Sequence, residues 1–293
     1  MCRDIEVGIK CIAALLTCHN RREKTLGCLE ALYANVLPEE VTLHVILVDD
    51  GSTDGTETAV RERFSDVYLI KGDGNLYWNG GMRLAFESAI HQGFDYYLWL
   101  NDDTVLYKNT LGTLLETAMT VMSQKERAAI IVGTTQAHQT GGATYGGLTR
   151  TSRWHPFKYH LVSVTNAPVP CDTMNGNCVL IPDEIVKKIG NLDAAFIHTI
   201  GDIDYGLRAR KAGFRIFIMP GYAGQCDRDS IANSLADKNL NLRERYKKLL
   251  GKKGLPLKSW YVFTKRHAGI FWMVFWLWPS LKVALSSLKL SKR

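Results

Sequence analysis

Short apolar runs alternate with amphipathic segments along the first half of the chain. Residues 11–17 and 43–48 are almost wholly apolar, as are strands buried on both faces of a parallel sheet. Between them, residues 21–35 place Leu26, Leu29, Leu32 and Tyr33 at three- and four-residue steps, the spacing of an amphipathic helix. Strands alternating with helices predict an α/β fold with a mostly parallel central sheet flanked by helices.

Apolar runs and amphipathic segments continue to alternate along the chain as far as residue 219. Residues 141–170 are rich in Gly, Thr and aromatic side chains, which predicts a hairpin and loops laid over the sheet. The predicted strands are 11–17, 43–48, 67–70, 96–100, 129–132, 177–181 and 214–219, and the predicted helices are 21–35, 54–64, 81–91, 109–122, one opened by Pro182, and 202–211.

Polar clusters follow the first four predicted strands. Ligands of open α/β sheets bind beyond the carboxyl ends of the strands, so four clusters on one rim predict a binding site. The clusters are Thr17-Cys18-His19-Asn20, Asp49-Asp50-Gly51-Ser52, the stretch KGDGNLYWNGGMR (71–83) and Asn101-Asp102-Asp103.

The acidic pair Asp102-Asp103 suits a hard divalent cation, because carboxylate oxygens are preferred ligands of Mg²⁺ and Mn²⁺. Such a metal shares its shell with water and substrate phosphates, which indicates a phosphorylated substrate. The alternative is an Asx-type turn that caps the next helix.

The segment NGGMRLAFES can present backbone N–H groups to an anion at a helix start, with Arg83 adding a contact to phosphate. A glycine-rich turn without a ligand is the alternative. Neither G-x-G-x-x-G after the first strand nor a P-loop lysine is present, which disfavours simple dinucleotide and ATPase sites.

Six motifs, in order along residues 10–226, resemble those of the family-2 inverting glycosyltransferases, which have the GT-A fold. The subgroup that the chain is most similar to comprises bacterial rhamnosyltransferase-like enzymes of cell-surface polysaccharide assembly. The motifs are LLTCHNR, ILVDDGSTDGT, GNLYWNGGMRLA, WLNDDT, MNGNCVLIP and GDIDYGLRARKAGF.

The resemblance implies donor-binding roles for residues of the first three clusters. Thr17 and Asp50, with Asp49 beside it, would contact the base and ribose. The remaining residues implied to bind the sugar nucleotide are Asn20, Asn79, Gly80, Gly81 and Arg83.

The resemblance also places Asn101-Asp102-Asp103 at the family's D-x-D motif, with Asn101 replacing the first Asp. It implies that Asp103 holds Mn²⁺ or Mg²⁺ and that Asp102 contacts the metal or the ribose. Family members often carry a histidine where this chain has Gln225, which leaves the third metal ligand open.

Asp202 falls at the family's catalytic base, in an E-D-x-D pattern that reads Gly201-Asp202-Ile203-Asp204 here. Displacement at an anomeric carbon requires a base that takes the acceptor hydroxyl's proton. A helix N-cap is the alternative for Asp202. Asp204 is expected to act at the helix terminus or as a structural partner, with Arg208 as its candidate partner.

Acceptor or sugar contacts are expected from aromatic and amide side chains on the same rim. Aromatic rings can stack on sugars, although they are as often part of the core. The residues considered are Tyr77, Trp78, Trp154 and Asn175, of which Trp78 and Asn175 are predicted acceptor contacts.

The charge distribution divides the chain into an acidic body and a basic tail. Residues 241–293 carry 13 Lys/Arg and one acidic residue, whereas the whole chain has a net charge of +7. This separates a body at 1–235 from a helical tail at 236–293. The resemblance implies that the body is a GT-A domain, with a nucleotide-binding half at about 10–133 and an acceptor half at about 134–235.

The tail combines basic flanks with an uncharged run of 15 residues, 267–281, which is too short to span a bilayer. Four tryptophans, Trp260, Trp272, Trp276 and Trp278, add the composition of a membrane interface, so a membrane-associating amphipathic tail is predicted. The alternative is a helix that packs on the body or forms a dimer interface.

Seven cysteines, an odd number without a C-x-x-C pair, indicate free thiols in a reducing compartment. No signal peptide is recognised, so we expect a cytoplasmic protein, peripheral on the inner face of the bacterial cytoplasmic membrane.

Together these features predict a metal-dependent inverting glycosyltransferase that moves rhamnose from dTDP-rhamnose to a lipid-linked or polysaccharide acceptor. A UDP-hexose donor is the alternative within the fold. A nucleic-acid-binding protein is disfavoured because the tail's aromatic residues form one block and do not interleave with basic ones. A non-catalytic scaffold is the remaining alternative, and the oligomeric state is left open.

Overall fold

The protein is described by a computed structural model that covers residues 10–125, 127–228 and 240–290. Within them a central sheet has the strand order β3-β2-β1-β4-β11-β6-β12-β5, with β9 paired to β12. A smaller sheet has the order β10-β7-β8. The strands are β1 (Lys10–Cys18), β2 (Val41–Asp49), β3 (Tyr68–Lys71), β4 (Tyr96–Leu100), β5 (Val105–Leu106), β6 (Ala129–Gln136), β7 (Gly147–Arg150), β8 (Tyr159–Leu161), β9 (Val169–Cys171), β10 (Thr173–Met174), β11 (Cys178–Pro182) and β12 (Arg215–Gln225).

The helices cover the faces of the sheet and form the tail. In the body they are α1 (Arg22–Tyr33), α2 (Thr56–Arg63), α3 (Tyr77–Gln92), α4 (Thr110–Lys125), α5 (Asp183–Ile189) and α6 (Gly201–Lys211), and in the tail α7 (Leu242–Leu250), α8 (Leu257–His267), a 3₁₀ turn (Gly269–Phe271) and α9 (Trp272–Leu290).

The predicted parallel sheet is confirmed at β1, which pairs in parallel with β2 on one side and β4 on the other. Its side chains alternate between two cores. Ala13 and Leu15 pack on one face, and Ile12, Ala14 and Leu16 pack on the other. Burial on both faces explains why the run has no polar alternation.

The hydrophobic pattern did not predict the antiparallel direction of β11 or the existence of β5. Strand β11 lies antiparallel between β4 and β6, and the two-residue β5 pairs antiparallel with β12. Periodicity finds a strand but not its direction, and it does not detect a strand as short as β5 or β10.

Helix α3 begins at Tyr77, four residues before the predicted start at Gly81. The reason is Asp50, whose Oδ2 accepts the backbone N–H groups of Leu76 and Tyr77 at 3.0 Å each. This carboxylate satisfies donors that a helix start otherwise leaves unpaired. The helix therefore forms despite glycines at positions 80 and 81.

The tail packs on the body in the described residues. Phe263 of α8 joins a small core with Phe196 and Leu207. The predicted domain boundary at 235–236 lies outside the described residues. Helix α9 continues through Pro279, beyond the predicted apolar run. Among the described helices, none qualifies as a bilayer-crossing segment.

Most of the tail tryptophans are half-buried against other residues of the tail. Trp260 Nε1 donates to the carbonyl of Phe275 at 3.1 Å, and Trp272 packs edge-on against Tyr261. Of the four, only Trp278 is strongly exposed, at 47%.

A buried ion cluster joins the tail to α6. Arg266 Nη1 donates to Asp204 Oδ1 at 2.7 Å, and His267 Nε2 lies 2.8 Å from the same oxygen. Arg208 Nε donates to Asp204 Oδ2 at 2.8 Å, as the sequence predicted. Burial alone would raise the pKa of Asp204, but these partners outweigh it and hold that pKa below its usual value.

Replacing Arg266 with alanine should therefore destabilise the fold. The substitution leaves Asp204 with fewer partners for its buried charge, although Arg208 and His267 remain, and we expect a loss of about 2–3 kcal/mol in the free energy of unfolding. Lys265→Ala is the matched control, since Lys265 is exposed on the same helix. Urea denaturation of both variants checks this. Equal stability of the two would show that the cluster does not hold the tail in place.

Candidate active site

A cavity of about 650 Å³ lies beyond the carboxyl ends of β1, β2 and β4. It collects residues from every predicted cluster, together with the start of α6. The predicted residues that line it are Thr17, Asp50, Tyr77, Trp78, Asn101, Asp102, Asp103, Asn175 and Asp202.

The acidic pair after β4 faces a cation from the chain itself. Arg21 Nη1 donates to Asp102 Oδ1 and to Asp103 Oδ2, at 3.0 Å each. The Asp102 and Asp103 side chains are only 7% and 14% exposed, so two neighbouring charges are nearly removed from water. Lys24 adds a second positive charge 3.6 Å from Asp103.

Asp102 retains an unpaired oxygen. Its Oδ2 is buried without a hydrogen-bond partner. Desolvation raises the pKa of this carboxyl to about 6, even though Arg21 acts in the opposite direction. A buried oxygen without a partner carries a desolvation cost. A cation bound at Asp102 Oδ2 would offset that cost.

The oxygen donors of this pair fit a hard divalent cation. Among the described residues no group of three His, Cys, Asp or Glu side chains is arranged to hold a metal. Mg²⁺ and Mn²⁺ sites on nucleotides use one or two carboxylates and complete the shell with water and phosphate, which is the donor set that Asp102 and Asp103 offer.

The hydrogen-bond partner of Asn101 explains why an amide, and not a carboxylate, occupies this position. The indole Nε1–H of Trp78 donates to Asn101 Oδ1 at 2.7 Å. A neutral amide accepts this bond without placing a third negative charge beside Asp102 and Asp103. The departure from the D-x-D pattern therefore reduces repulsion at the strand end.

Asp202 lies in the first turn of α6 and lines the cavity. Its Oδ1 accepts the N–H of Ile203 at 2.8 Å, and its Oδ2 accepts the N–H of Gly176 at 2.9 Å. Desolvation raises the pKa of Asp202 despite these bonds. The helix N-cap is Ile200, so Asp202 is not the N-cap residue.

Asp49 and Asp50 organise backbone. Asp50 Oδ1 accepts the N–H of Gly74 at 2.8 Å, in addition to its bonds at the start of α3. Asp49 Oδ1 accepts the N–H of Ser52 at 2.9 Å and lies outside the cavity lining. Asp50 thus shapes the 74–77 loop that forms part of the cavity wall.

Several residues predicted to bind the donor lie outside the cavity, and the structure shows why. The Asn79 side chain is fully buried and donates to the carbonyls of Asp193 and Phe196. Arg83 pairs with Glu87 at 3.7 Å on the helix surface. Gly81 packs against Thr17, Gly80 packs against Leu76, and Asn20 hydrogen-bonds to Thr53. The residues concerned are Asn20, Asp49, Asn79, Gly80, Gly81 and Arg83; Trp154 is 90% exposed and also lies outside.

Sequence reasoning missed several lining residues. Arg21 is the last residue of the LLTCHNR motif, and no role was predicted for it because its partners are more than 80 positions away. Cys226, and not Gln225, reaches the acidic pair, with Sγ 3.5 Å from Asp103 Oδ1. Burial raises the pKa of the Cys226 thiol to about 12, so the protonated thiol donates to Asp103.

Backbone strain is concentrated around the cavity. In the described chain the non-glycine residues with positive φ are Asn20 (51°), Tyr77 (56°) and Ile200 (61°). Tyr77 and Ile200 line the cavity, and Asn20 precedes Arg21. A β-branched residue such as Ile200 rarely adopts this conformation, which is retained mainly at functional sites.

Comparison with known proteins gives the family and the fold of the chain. Residues 14–190 match the family model described as glycosyl transferase family 2, which is more than half of the chain. A search of curated protein sequences found no match to the chain.

A similar solved structure is the mannosyltransferase PcManGT from Pyrobaculum calidifontis in complex with GDP-Man and Mn²⁺. It aligns over 99% of this chain and 78% of its own, with a TM-score of 0.56 and 14% identity. At that identity the likeness concerns the fold, which is the GT-A fold. The chain therefore belongs to glycosyl transferase family 2 and is a nucleotide-sugar-dependent glycosyltransferase.

Proposed function

We propose that the chain transfers rhamnose from dTDP-rhamnose, with inversion, to a lipid-linked or polysaccharide acceptor of cell-surface glycan synthesis. The observation that carries this proposal is that the acidic pair Asp102-Asp103 and the half-buried Asp202 line one cavity. That arrangement supplies one site for a diphosphate and one for a base.

The donor's diphosphate is assigned to the end of β4. Asp103, with Asp102, would hold Mn²⁺ or Mg²⁺, as the relative that binds GDP-Man and Mn²⁺ supports. When bound, such a metal stabilises negative charge on a departing diphosphate. Arg21 and Lys24 already bring positive charge to the same carboxylates.

Asp202 is assigned as the catalytic base. Its carboxylate takes the proton of the acceptor hydroxyl while that oxygen bonds to the anomeric carbon and the bond to the diphosphate breaks. A raised pKa makes this carboxylate a stronger base than an exposed one. The amides of Gly176 and Ile203 fix its orientation.

The sugar and acceptor are assigned to the neighbouring wall. Trp78 is held by its bond to Asn101, and Asn175 lines the cavity one residue before Gly176. Asn101 directly precedes the acidic pair, and the N–H of Gly176 donates to Asp202. Trp78 and Asn175 therefore lie beside the two proposed reaction groups. The choice of rhamnose over a UDP-hexose rests on the ordered motifs of the rhamnosyltransferase-like subgroup.

Asp202→Asn should abolish transfer and leave donor binding intact. The amide keeps the shape of the carboxylate but cannot take the proton, so we expect about a 10³-fold loss of rate. Transfer of radiolabelled rhamnose from dTDP-rhamnose to a bacterial lipid extract measures the rate. Thermal shift with a panel of nucleotide sugars measures binding, since a ligand stabilises the state it binds.

Asp66→Asn is the matched control, because Asp66 is an exposed acid outside the cavity. Retained turnover in Asp202→Asn would refute the base assignment. Stabilisation by UDP-hexoses and not by dTDP-rhamnose would refute the donor. A chain that no nucleotide sugar stabilises would contradict the proposed function as a whole.

The tail is assigned to the inner face of the bacterial cytoplasmic membrane. Five apolar side chains at helical spacing along the 3₁₀ turn and α9, here called the apolar stripe, are each at least 50% exposed. They are Ile270, Val274, Leu277, Leu281 and Leu285. A large exposed apolar surface on a strongly basic tail matches an anionic bilayer.

Charges placed in the apolar stripe should release the protein from membranes. Val274→Glu combined with Leu281→Glu removes apolar contact and adds repulsion from anionic lipid, so we expect at least a tenfold weaker partition. Sedimentation with phosphatidylglycerol-containing vesicles measures it.

Met119→Glu is the control, since Met119 is similarly exposed on α4, outside the tail. Truncation before Arg266 is unsuitable, because it would also break the Asp204 cluster. Unchanged partition of the folded double variant would rule out the membrane assignment.

A further inference from the structure

A tight turn between α7 and α8 places one lysine at the cavity and a second against a residue of its wall. The turn spans residues 251–254 and reads GKKG, and we call it the lysine turn. Lys253 is one of the residues that line the cavity. Lys252 Nζ lies 4.9 Å from the centroid of the Tyr77 ring, which itself lines the cavity.

The lysine turn has a fixed geometry. The Gly254 N–H donates to the carbonyl of Gly251 at 2.8 Å, and Thr199 Oγ1 donates to the carbonyl of Gly254 at 2.6 Å. A Cβ at Gly254 would collide with the backbone carbonyl oxygens of Lys248 and Leu249. Only glycine fits there, so the backbone holds Lys253 against the cavity wall.

The two lysines are not needed to neutralise the acids of the cavity. Asp102 and Asp103 pair with Arg21, and Asp50 and Asp202 accept backbone N–H groups. Among the described residues no carboxylate lies within ion-pair distance of Lys252 or Lys253. The lysine turn therefore offers uncompensated positive charge to a ligand.

The position of the turn indicates which ligand. Thr199, which holds the turn, is three residues before Asp202, so the turn borders the segment that presents the base. Helix α8 then leads from the turn towards the apolar stripe, over 11 residues or about 16 Å. A ligand that joins a negative head to an apolar chain matches both features.

We propose that Lys252 and Lys253 bind the phosphate of a lipid-linked acceptor and thereby bring its hydroxyl to Asp202. This rests on the proposed function. Ammonium groups form charge-assisted hydrogen bonds with phosphate oxygens, and both lysines are exposed and therefore accessible to a ligand. The donor's diphosphate belongs at the acidic pair, and the lysine turn is a second phosphate site in the same cavity.

The test is the binding of geranyl diphosphate to the full chain by calorimetry, with Mg²⁺ and saturating dTDP or UDP present to fill the donor site. The wild type should bind geranyl diphosphate and not geraniol. Lys252→Gln combined with Lys253→Gln should weaken that binding about tenfold. The affinity for dTDP or UDP alone should change less than twofold.

Lys258→Gln combined with Lys282→Gln is the matched control, since both lysines are exposed in the same tail and the charge change is equal. Equal weakening in the control would show a general charge effect and overturn the site. So would unchanged binding in the lysine-turn variant, or a loss of dTDP and UDP affinity, which would assign the lysines to the donor. Failure of the wild type to bind either nucleotide would instead contradict the proposed function, and geranyl diphosphate titrated alone would still test the lysine turn.

Discussion

The burial of carboxylates around one cavity is the constraint on which the rest of the structure depends. Asp50, Asp102, Asp103 and Asp202 all line it. An uncompensated buried charge costs several kcal/mol, so each carboxylate requires a partner. Asp50 and Asp202 obtain backbone N–H groups, whereas the acidic pair obtains Arg21. Three of these acids, Asp102, Asp103 and Asp202, are the ones to which the proposed function assigns a chemical role.

Each compensating group also fixes local structure. The bonds to Asp50 begin α3 early, and the bonds to Asp202 connect α6 to the loop before β11. Two residues further along α6, Asp204 holds Arg266 and His267 of the tail. The tail is thereby connected to the helix that carries the proposed base. A tail attached in this way can present the lysine turn to the cavity and the apolar stripe to a bilayer.

Much of the fold was predictable, because apolar runs and helical spacing are local properties of the chain. Strand β4 was predicted with its observed ends, and β1 to within a residue at each end. The features that were not predicted depend on residues far away in the sequence. The start of α3 is set by a side chain 26 residues earlier, and Arg21 meets its carboxylates across 81 positions. No local pattern contains such information. Likewise, the resemblance located Asn79 in a motif but did not show that its side chain turns inward to support the 193–196 loop.

The central claim is that the acidic pair at the end of β4 binds a divalent cation together with a nucleoside diphosphate. Electron paramagnetic resonance of Mn²⁺ tests it most directly, with dTDP and with UDP, on the wild type and on Asp103→Asn. The claim predicts that nucleotide tightens Mn²⁺ binding to the wild type and that Asp103→Asn weakens it at least tenfold. Mn²⁺ binding of equal strength in Asp103→Asn, with or without nucleotide, would contradict the claim.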